Sequence, residues 1–539
     1  MRERNELILA DLIQVRAEQK PDLDVVTFEH LSLDGGATPD DVRTYADLHT
    51  NANRLAAGLI AKGFAPGDRF AVMMRNHPEF VEAMIAASIT GGLFVPVDPR
   101  TRADKLAYVL QNSGCCGIIC ADYCLPELEQ VRSQLPGLHW VLGLESGEAG
   151  PTLSAFRGVE DLRDIASRTA ASIAVRTGSP EAPLMIMYTS GTTGDPKGIV
   201  GNNARFCMSG MIGMLFGYQP DERPYTGLSF THGNAQSMTL IPSLTMSLRC
   251  VISRRFTKSK LWDVCRRYGC TTFSLVGGMA TALYSEPLRP DDDDNPVRFV
   301  VSGGMPPAIW EAFERRYDVK ILEVYGAMDG GGMAFKPVGQ GPVGSFGKPM
   351  AGIEMRVLDE AGHECPPGVI GEICTRPAGG ADAAVEYYGN PEASRTKIRG
   401  GWNRSGDMGH RDADGWLFFD YRAGGGIRHN GDFINPSFVE KAVAEHPSVA
   451  DVYVYGVTAS SGAPGEKDVV AAIVPVDANR FDATAVFSSC RVKLEANFVP
   501  TYLQLVDDIP KTASEKPVER ALVEQFDPRA ANVYTERRG

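Results

Sequence analysis

Apolar residues recur at helical spacing from Tyr45 to Lys62, and the next segment, Asp68-Arg-Phe-Ala-Val-Met-Met, is an apolar run of strand length. A second helical stretch runs from Pro78 to Thr90 and leads into the short apolar run Leu93-Phe-Val-Pro-Val. The alternation continues through Gly269-Cys-Thr-Thr-Phe-Ser-Leu-Val and Val297-Arg-Phe-Val-Val-Ser-Gly-Gly. Strands separated by helices predict an α/β fold, with parallel sheets and crossover helices. From Gly341 to Asp420 the character changes to short alternating strands with Gly and Pro turns, such as Ile353-Glu-Met-Arg-Val-Leu-Asp and Gly371-Glu-Ile-Cys-Thr. That pattern predicts a mostly antiparallel β unit. After Arg422 comes Ala423-Gly-Gly-Gly426, a run with little backbone restraint, followed by a small α+β pattern. The expected organisation is a large N-terminal domain over 1–422 and a small mobile C-terminal domain over 423–539. The large domain divides at about 1–180, 181–340 and 341–422 into two α/β subdomains and a smaller β unit.

Composition narrows the function classes. Of 539 residues, 43% are hydrophobic and 22% charged, ordinary for a chain that buries sizeable cores. Lys and Arg number 54 against 67 Asp and Glu, a formal net charge of −13, so nucleic-acid binding is not expected. The most apolar window, Phe80 to Val97, is interrupted by Glu82 and Gly91-Gly92, and no membrane span is predicted. The opening Met-Arg-Glu-Arg-Asn-Glu has charges of both signs where a signal peptide needs a basic end and an apolar run. With 11 Cys in such a chain, reduced thiols and a cytoplasmic location are expected. Cys115, Cys116, Cys120 and Cys124 invite a metal reading, but their apolar surroundings read as a buried strand. The run Asp291 to Asp294 reads as a solvated loop.

The most informative segment is Leu184-Met-Ile-Met-Tyr-Thr-Ser-Gly-Thr-Thr-Gly-Asp-Pro-Lys-Gly. An apolar strand ends in Thr189-Ser190-Gly191-Thr192-Thr193-Gly194, where glycines let backbone N–H groups turn toward an anion and hydroxyls add adaptable donors. Lys197 supplies a cation, while Pro196 breaks the pattern of a Walker loop. This segment resembles the signature loop of the adenylate-forming superfamily, which includes acyl-CoA synthetases, luciferases and peptide-synthetase adenylation domains. The resemblance extends from about Thr44 to Arg520, with further motifs in the expected order.

The resemblance implies that the loop grips the β- and γ-phosphates of ATP, with Thr192 near the metal. Gly303-Gly304 would let the adenine approach the backbone, and Tyr325 and Gly326, in Glu323-Val-Tyr-Gly-Ala-Met-Asp, would form its stacking platform. Asp329 stands where the family usually has a Mg²⁺-binding Glu, directly or through water, and Met328 replaces a hydroxyl. Asp407, in Trp402-Asn-Arg-Ser-Gly-Asp, would accept both ribose hydroxyls, and Arg422 would reach ribose or phosphate. Lys516, in Pro510-Lys-Thr-Ala-Ser-Glu-Lys, matches the catalytic lysine, with Glu515 in place of a Gly. His232 stands at an acyl-tunnel position, as a gate or as a satisfied core histidine, with Gly277, Gly278 and Gly303 around the same cavity.

The implied activity is an ATP- and Mg²⁺-dependent acid–thiol ligase. It would make acyl-AMP from a small-molecule carboxylic acid, release pyrophosphate and form acyl-CoA. Gly424-Gly425-Gly426 at the hinge position leaves open an enzyme that hands acyl-AMP to a partner. With Met328 and Glu515 it also leaves open a degenerate nucleotide-binding relative. Neither the acid nor the oligomeric state is readable from the sequence.

Overall fold

The computed structural model describes residues 3–148, 150–166, 172–189, 195–284, 286–307, 309–330, 332–422, 427–430, 432–434, 436–463, 465–510 and 519–536. The expected elements form where the apolar pattern puts them. Helix Tyr45–Ala61 starts at Thr44, whose hydroxyl accepts from the Asp47 amide while the Asp47 carboxylate accepts from the Thr44 amide. This reciprocal cap satisfies donors that a helix start otherwise leaves open. Helix Pro78–Thr90 opens on a proline, which has no amide to satisfy, and is buried along nearly its whole length. It packs against Tyr45–Ala61 in a core that includes Phe70, Phe80, Ile85 and Phe94.

The described residues fall into two compact units, the first running to Asp420 and the second beginning at Tyr421. Arg100–Tyr108, Asp195 and Pro196 group with the second unit.

In the first unit, one sheet has the strand order Val159–Asp161, Trp140–Leu144, Gly117–Ala121, Arg69–Met73, Leu93–Pro96, Pro183–Thr189, Lys197–Asn202. Its pairings are parallel except the last, where Pro183–Thr189 runs antiparallel to Lys197–Asn202. In the second sheet Asp24–Glu29, Cys250–Ser253, Pro224–Thr226, Thr272–Val276, Phe299–Gly303 and Lys320–Gly326 are joined in parallel. The two sheets interleave along the chain. Asp24–Glu29 pairs with Cys250–Ser253, although every strand from Arg69 to Asn202 lies in the other sheet. Sequence order therefore does not mark where one sheet ends and the other begins.

The β unit beyond Gly341 is antiparallel, as its alternation predicts, through Ser345–Pro349, Ile353–Leu358, Gly371–Pro377, Trp402–Arg411 and Leu417–Arg422. It is continuous with the second sheet through Met333–Lys336, which pairs with both Lys320–Gly326 and Ser345–Pro349.

The second unit builds its own core. Hairpin Val449–Thr458 and Lys467–Pro475 pairs in parallel with Tyr502–Leu505, and helices Pro436–Ala444 and Ala483–Lys493 bury Val439, Val443, Val486 and Phe487.

Cys115, Cys120 and Cys124 are buried free thiols, the core role expected of them. Among the described residues no helix is long and apolar enough to cross a membrane.

One buried carboxyl organises the ends of the central strands. Glu323 accepts from the Gly304 and Met305 amides, so it clamps the turn after Phe299–Gly303, and it lies level with Lys336 on the adjacent strand. Burial pushes its carboxyl up to about 8, against the pull of those amides and of Lys336.

Two predictions follow from these constraints. Gly347 has φ +104°, and a Cβ there would stand 1.9 Å from the Phe335 carbonyl oxygen. Gly347→Ala should therefore cost more than about 3 kcal/mol in urea unfolding. Gly352→Ala, at φ +86° but with open space around its Cβ, should cost about 1 kcal/mol.

The second concerns Glu323. Between 4.5, its unfolded value, and about 8, the folded protein holds a proton there that the unfolded chain has released. This group's contribution is thus fully present at acid pH and is lost as pH rises through that window. The melting temperature of Glu323→Gln relative to wild type should rise between pH 5 and pH 8; a gap independent of pH would contradict the assignment.

Candidate active site

The ends of the parallel strands gather the residues that the motifs single out. Gly303 closes Phe299–Gly303 level with Val276, so it lies beside the start of helix Gly277–Tyr284. Tyr325 and Gly326 close the neighbouring strand Lys320–Gly326. The Tyr325 ring is stacked on Phe346, with centroids 4.4 Å apart and planes inclined by 25°. Its hydroxyl donates to Asp407 Oδ2 at 2.7 Å across 82 positions of sequence. Asp407 is 8% exposed, and its amide donates to Ser405 Oγ at 2.9 Å. An aromatic platform and a carboxylate that accepts hydroxyl donors thus sit side by side.

Asp329 follows three residues after Gly326. Its Oδ2 accepts from Lys397 Nζ and from the Tyr387 hydroxyl, both at 2.9 Å. Tyr387 is brought there because its segment runs along Lys197–Asn202: it forms an isolated bridge with Ile199, and the Tyr388 amide donates to the Gly198 carbonyl at 2.8 Å. Lys197 Nζ lies 5.2 Å from the centre of the Tyr387 ring. Burial lowers the Lys197 ammonium, the charge of Lys397 lowers it further, and Asp329 opposes both.

Lys397 ends helix Pro391–Lys397, which Asn390 caps by accepting from the Ala393 amide. It also donates to the Ser405 carbonyl at 3.3 Å, two residues before Asp407. Arg205 Nη2 donates to the Met328 carbonyl at 2.6 Å.

Met328 stands against the turn after His232, where a Cβ added to Gly233 would come within 2.4 Å of the Met328 sulfur. The thioether occupies that space by packing, so the hydroxyl it replaces is exchanged for an apolar wall. His232 has a side chain 53% exposed with Nε2 4.0 Å from Asp98 Oδ2, which rules out the core-histidine alternative. Immediately after it the chain forms a π-helix over Ala235–Leu240, a geometry that recurs at functional sites.

Several expected residues lie outside the described residues: Ser190, Gly191, Thr192, Thr193 and Gly194 of the phosphate loop, Gly424 to Gly426, Glu515 and Lys516. Thr189 is described as the end of Pro183–Thr189, level with Lys197, and Arg422 as the end of Leu417–Arg422. Sequence reasoning missed Lys397, Tyr387, Arg205, Phe346 and the clamp made by Glu323. Glu323 stood inside a quoted motif, two residues before Tyr325. The others carried no local signal, because their partners are far away in the chain.

The chain matches the family model of the AMP-binding enzyme over residues 13–385, and that of the AMP-binding enzyme C-terminal domain over residues 439–516. It is 26% identical over 487 residues to crotonobetaine/carnitine–CoA ligase of Salmonella choleraesuis, covering 89% of this chain and 92% of the relative. It is 29% identical over 516 residues to sulfoacetate–CoA ligase of Cupriavidus necator, covering 94% and 96%.

Among solved structures, a double mutant of o-succinylbenzoate CoA synthetase from Bacillus subtilis, bound with its product analogue OSB-NCoA, superposes with a TM-score of 0.78. It is 22% identical, over 96% of this chain and 98% of that one. An amide bond synthetase from Marinactinospora thermotolerans gives 0.73 at 23% identity, over 90% and 95%. The two solved structures share the fold. The family models span most of the chain, and the chain therefore belongs to the AMP-binding enzyme family, within the adenylate-forming superfamily.

Proposed function

We propose that this chain is an ATP-dependent acid–thiol ligase of the AMP-forming kind, acting on a small-molecule carboxylic acid. The observation that carries the reading furthest is the Tyr325–Asp407 hydrogen bond, which puts a flat aromatic face and a ribose-accepting carboxylate in one place. The curated relatives named above join coenzyme A to crotonobetaine or carnitine and to sulfoacetate, which supports a carboxylate as one substrate and CoA as the other.

In the first step a carboxylate oxygen bonds to the α-phosphorus of ATP. The bond from that phosphorus to the bridging oxygen breaks, and its electrons leave with pyrophosphate. No protein proton transfer is needed, so catalysis consists of holding two anions in line and offsetting their repulsion.

Tyr325 and Gly303-Gly304 hold the adenine, Asp407 accepts the ribose hydroxyls and Arg422 reaches ribose or phosphate. Thr189 to Gly194 and Lys197 hold the phosphates, and Lys516 meets the carboxylate and the α-phosphate. His232, Gly277, Gly278 and Gly303 line the acyl pocket.

Asp329, a hard oxygen donor whose Oδ2 accepts from Lys397 and Tyr387, is the residue that would hold Mg²⁺, directly or through water. When bound, Mg²⁺ supplies charge neutralisation at the phosphates.

In the second step the sulfur of the CoA thiol bonds to the acyl carbon, the bond from that carbon to the phosphate oxygen breaks with its electrons leaving on AMP, and the thiol proton goes to solvent. Rotation about 423–426 would exchange Lys516 for a path that admits the thiol. The cytoplasm, which keeps thiols reduced, is the compartment this chemistry suits.

A screen of carboxylic acids for pyrophosphate release, run with and without CoA, should find an acid that releases pyrophosphate and yields acyl-CoA. Accumulation of acyl-AMP in the presence of CoA would instead favour an enzyme that stops at adenylation. Lys516→Ala should slow pyrophosphate exchange by about 3–5 kcal/mol in barrier, several orders of magnitude, and a loss of tenfold or less would contradict its role. Asp407→Asn should raise the KM for ATP by about tenfold to a hundredfold, the worth of hydrogen bonds to a charged acceptor, with a smaller change in kcat.

A further inference from the structure

Lys397 belongs to none of the motifs, yet it is held as firmly as any residue of the site. Its side chain is 15% exposed and that of Asp329 is 12% exposed, and their ion pair is 2.9 Å long. The same ammonium reaches the Ser405 carbonyl at 3.3 Å, so it bridges the segment after Tyr325-Gly326 and the turn that carries Asp407. A shielded lysine gives up hydration and side-chain freedom, and an unmet need for negative charge remains wherever cations outnumber anions.

That imbalance is present here. Lys397 pairs with Asp329 and Arg205 binds the adjacent Met328 carbonyl. Lys197 lies over Tyr387, whose hydroxyl donates to the same Asp329 oxygen. Among the described residues, two cationic side chains, Lys397 and Arg205, thus meet the short segment that carries the Asp329 carboxylate, the arrangement of a site that is completed by a polyanion.

Resting on the ATP-dependent reading given above, we propose that Lys397 is a polyphosphate-binding residue of this chain. Asp329 holds its ammonium in position before nucleotide arrives, and phosphate oxygens of the nucleotide tail then take the ammonium as their partner. Lying between Asp329 and the Asp407 turn, Lys397 meets the tail beyond the ribose. It offsets the charge that grows on the departing pyrophosphate and leaves AMP, which lacks that tail, largely untouched.

The test is calorimetric titration of the full chain with AMP, and separately with ATP in the presence of a chelator so that no metal contributes. Lys397→Met should weaken metal-free ATP at least tenfold while AMP stays within twofold of wild type, and Lys397→Arg should recover most of the ATP affinity. Asp329→Asn, which removes a negative charge, should bind metal-free ATP as well as wild type or better.

The double variant Asp329→Asn/Lys397→Met decides between a phosphate ligand and a mere counter-ion. If the lysine only neutralises Asp329, the double variant binds metal-free ATP like wild type and the proposal falls. If the lysine meets phosphate, the double variant stays weak. A parallel loss of AMP affinity in Lys397→Met would mark a structural lysine and overturn the proposal. A Lys397→Met variant that binds ATP as wild type does would overturn this proposal alone. A wild-type chain that binds neither nucleotide would overturn the ATP-dependent reading together with it.

Discussion

The carboxylate of Asp329 ties together pieces of chain that otherwise belong to different layers. Through Tyr387 it is joined to the segment lying along Lys197–Asn202, at the edge of the first sheet. Through its own position it follows the central strand Lys320–Gly326 of the second sheet, and through Lys397 it reaches the antiparallel unit that carries Asp407. A buried or half-buried anion needs partners of opposite charge, and partners held by three separate elements fix those elements relative to one another. The relative positions of Asp329, Tyr387, Lys397 and the Asp407 turn within the first unit follow from that constraint.

Around this centre the division of labour is electrostatic. The reaction joins two anions, so the site needs positive charge and little proton chemistry. Lys197, Lys397 and Arg205 supply charge from three different elements, and beside them Tyr325 and Asp407 supply an aromatic face and a hydrogen-bonding carboxylate. Glu323 behind them holds the Gly304 and Met305 amides in place, with its carboxyl pushed toward the neutral form by burial. A clamp held toward the neutral form steadies that turn without placing another full negative charge at the strand ends.

The departures from the superfamily's pattern acquire different weights. Met328 has a structural place, filling the space beside Gly233 while its carbonyl anchors Arg205, so the loss of a hydroxyl comes with a cation fixed nearby. Asp329, shorter than the usual Glu, is in contact with a lysine and a tyrosine that reach toward it. The neighbouring groups thus meet the shorter side chain.

The alternation of apolar runs and helical stretches was enough to predict parallel sheets, the antiparallel unit beyond Gly341 and a separate C-terminal core, because periodicity reports which face of each element is buried. The motifs that contain Tyr325, Asp329 and Asp407 could be picked out for a similar reason: their residue types and order are local properties of the chain.

Tertiary structure decided what lies between these motifs. That Asp24–Glu29 joins the second sheet, that Tyr325 leans on Phe346, and that Asp329 meets Tyr387 across 58 positions are pairings between distant segments. A lysine at the end of a short polar helix looks like any solvated lysine in sequence. Only the pairing of Tyr387 with the first sheet and the turn before Asp407 give Lys397 an anion to face. Charge is written in the residue, but its meaning depends on neighbours brought close by folding.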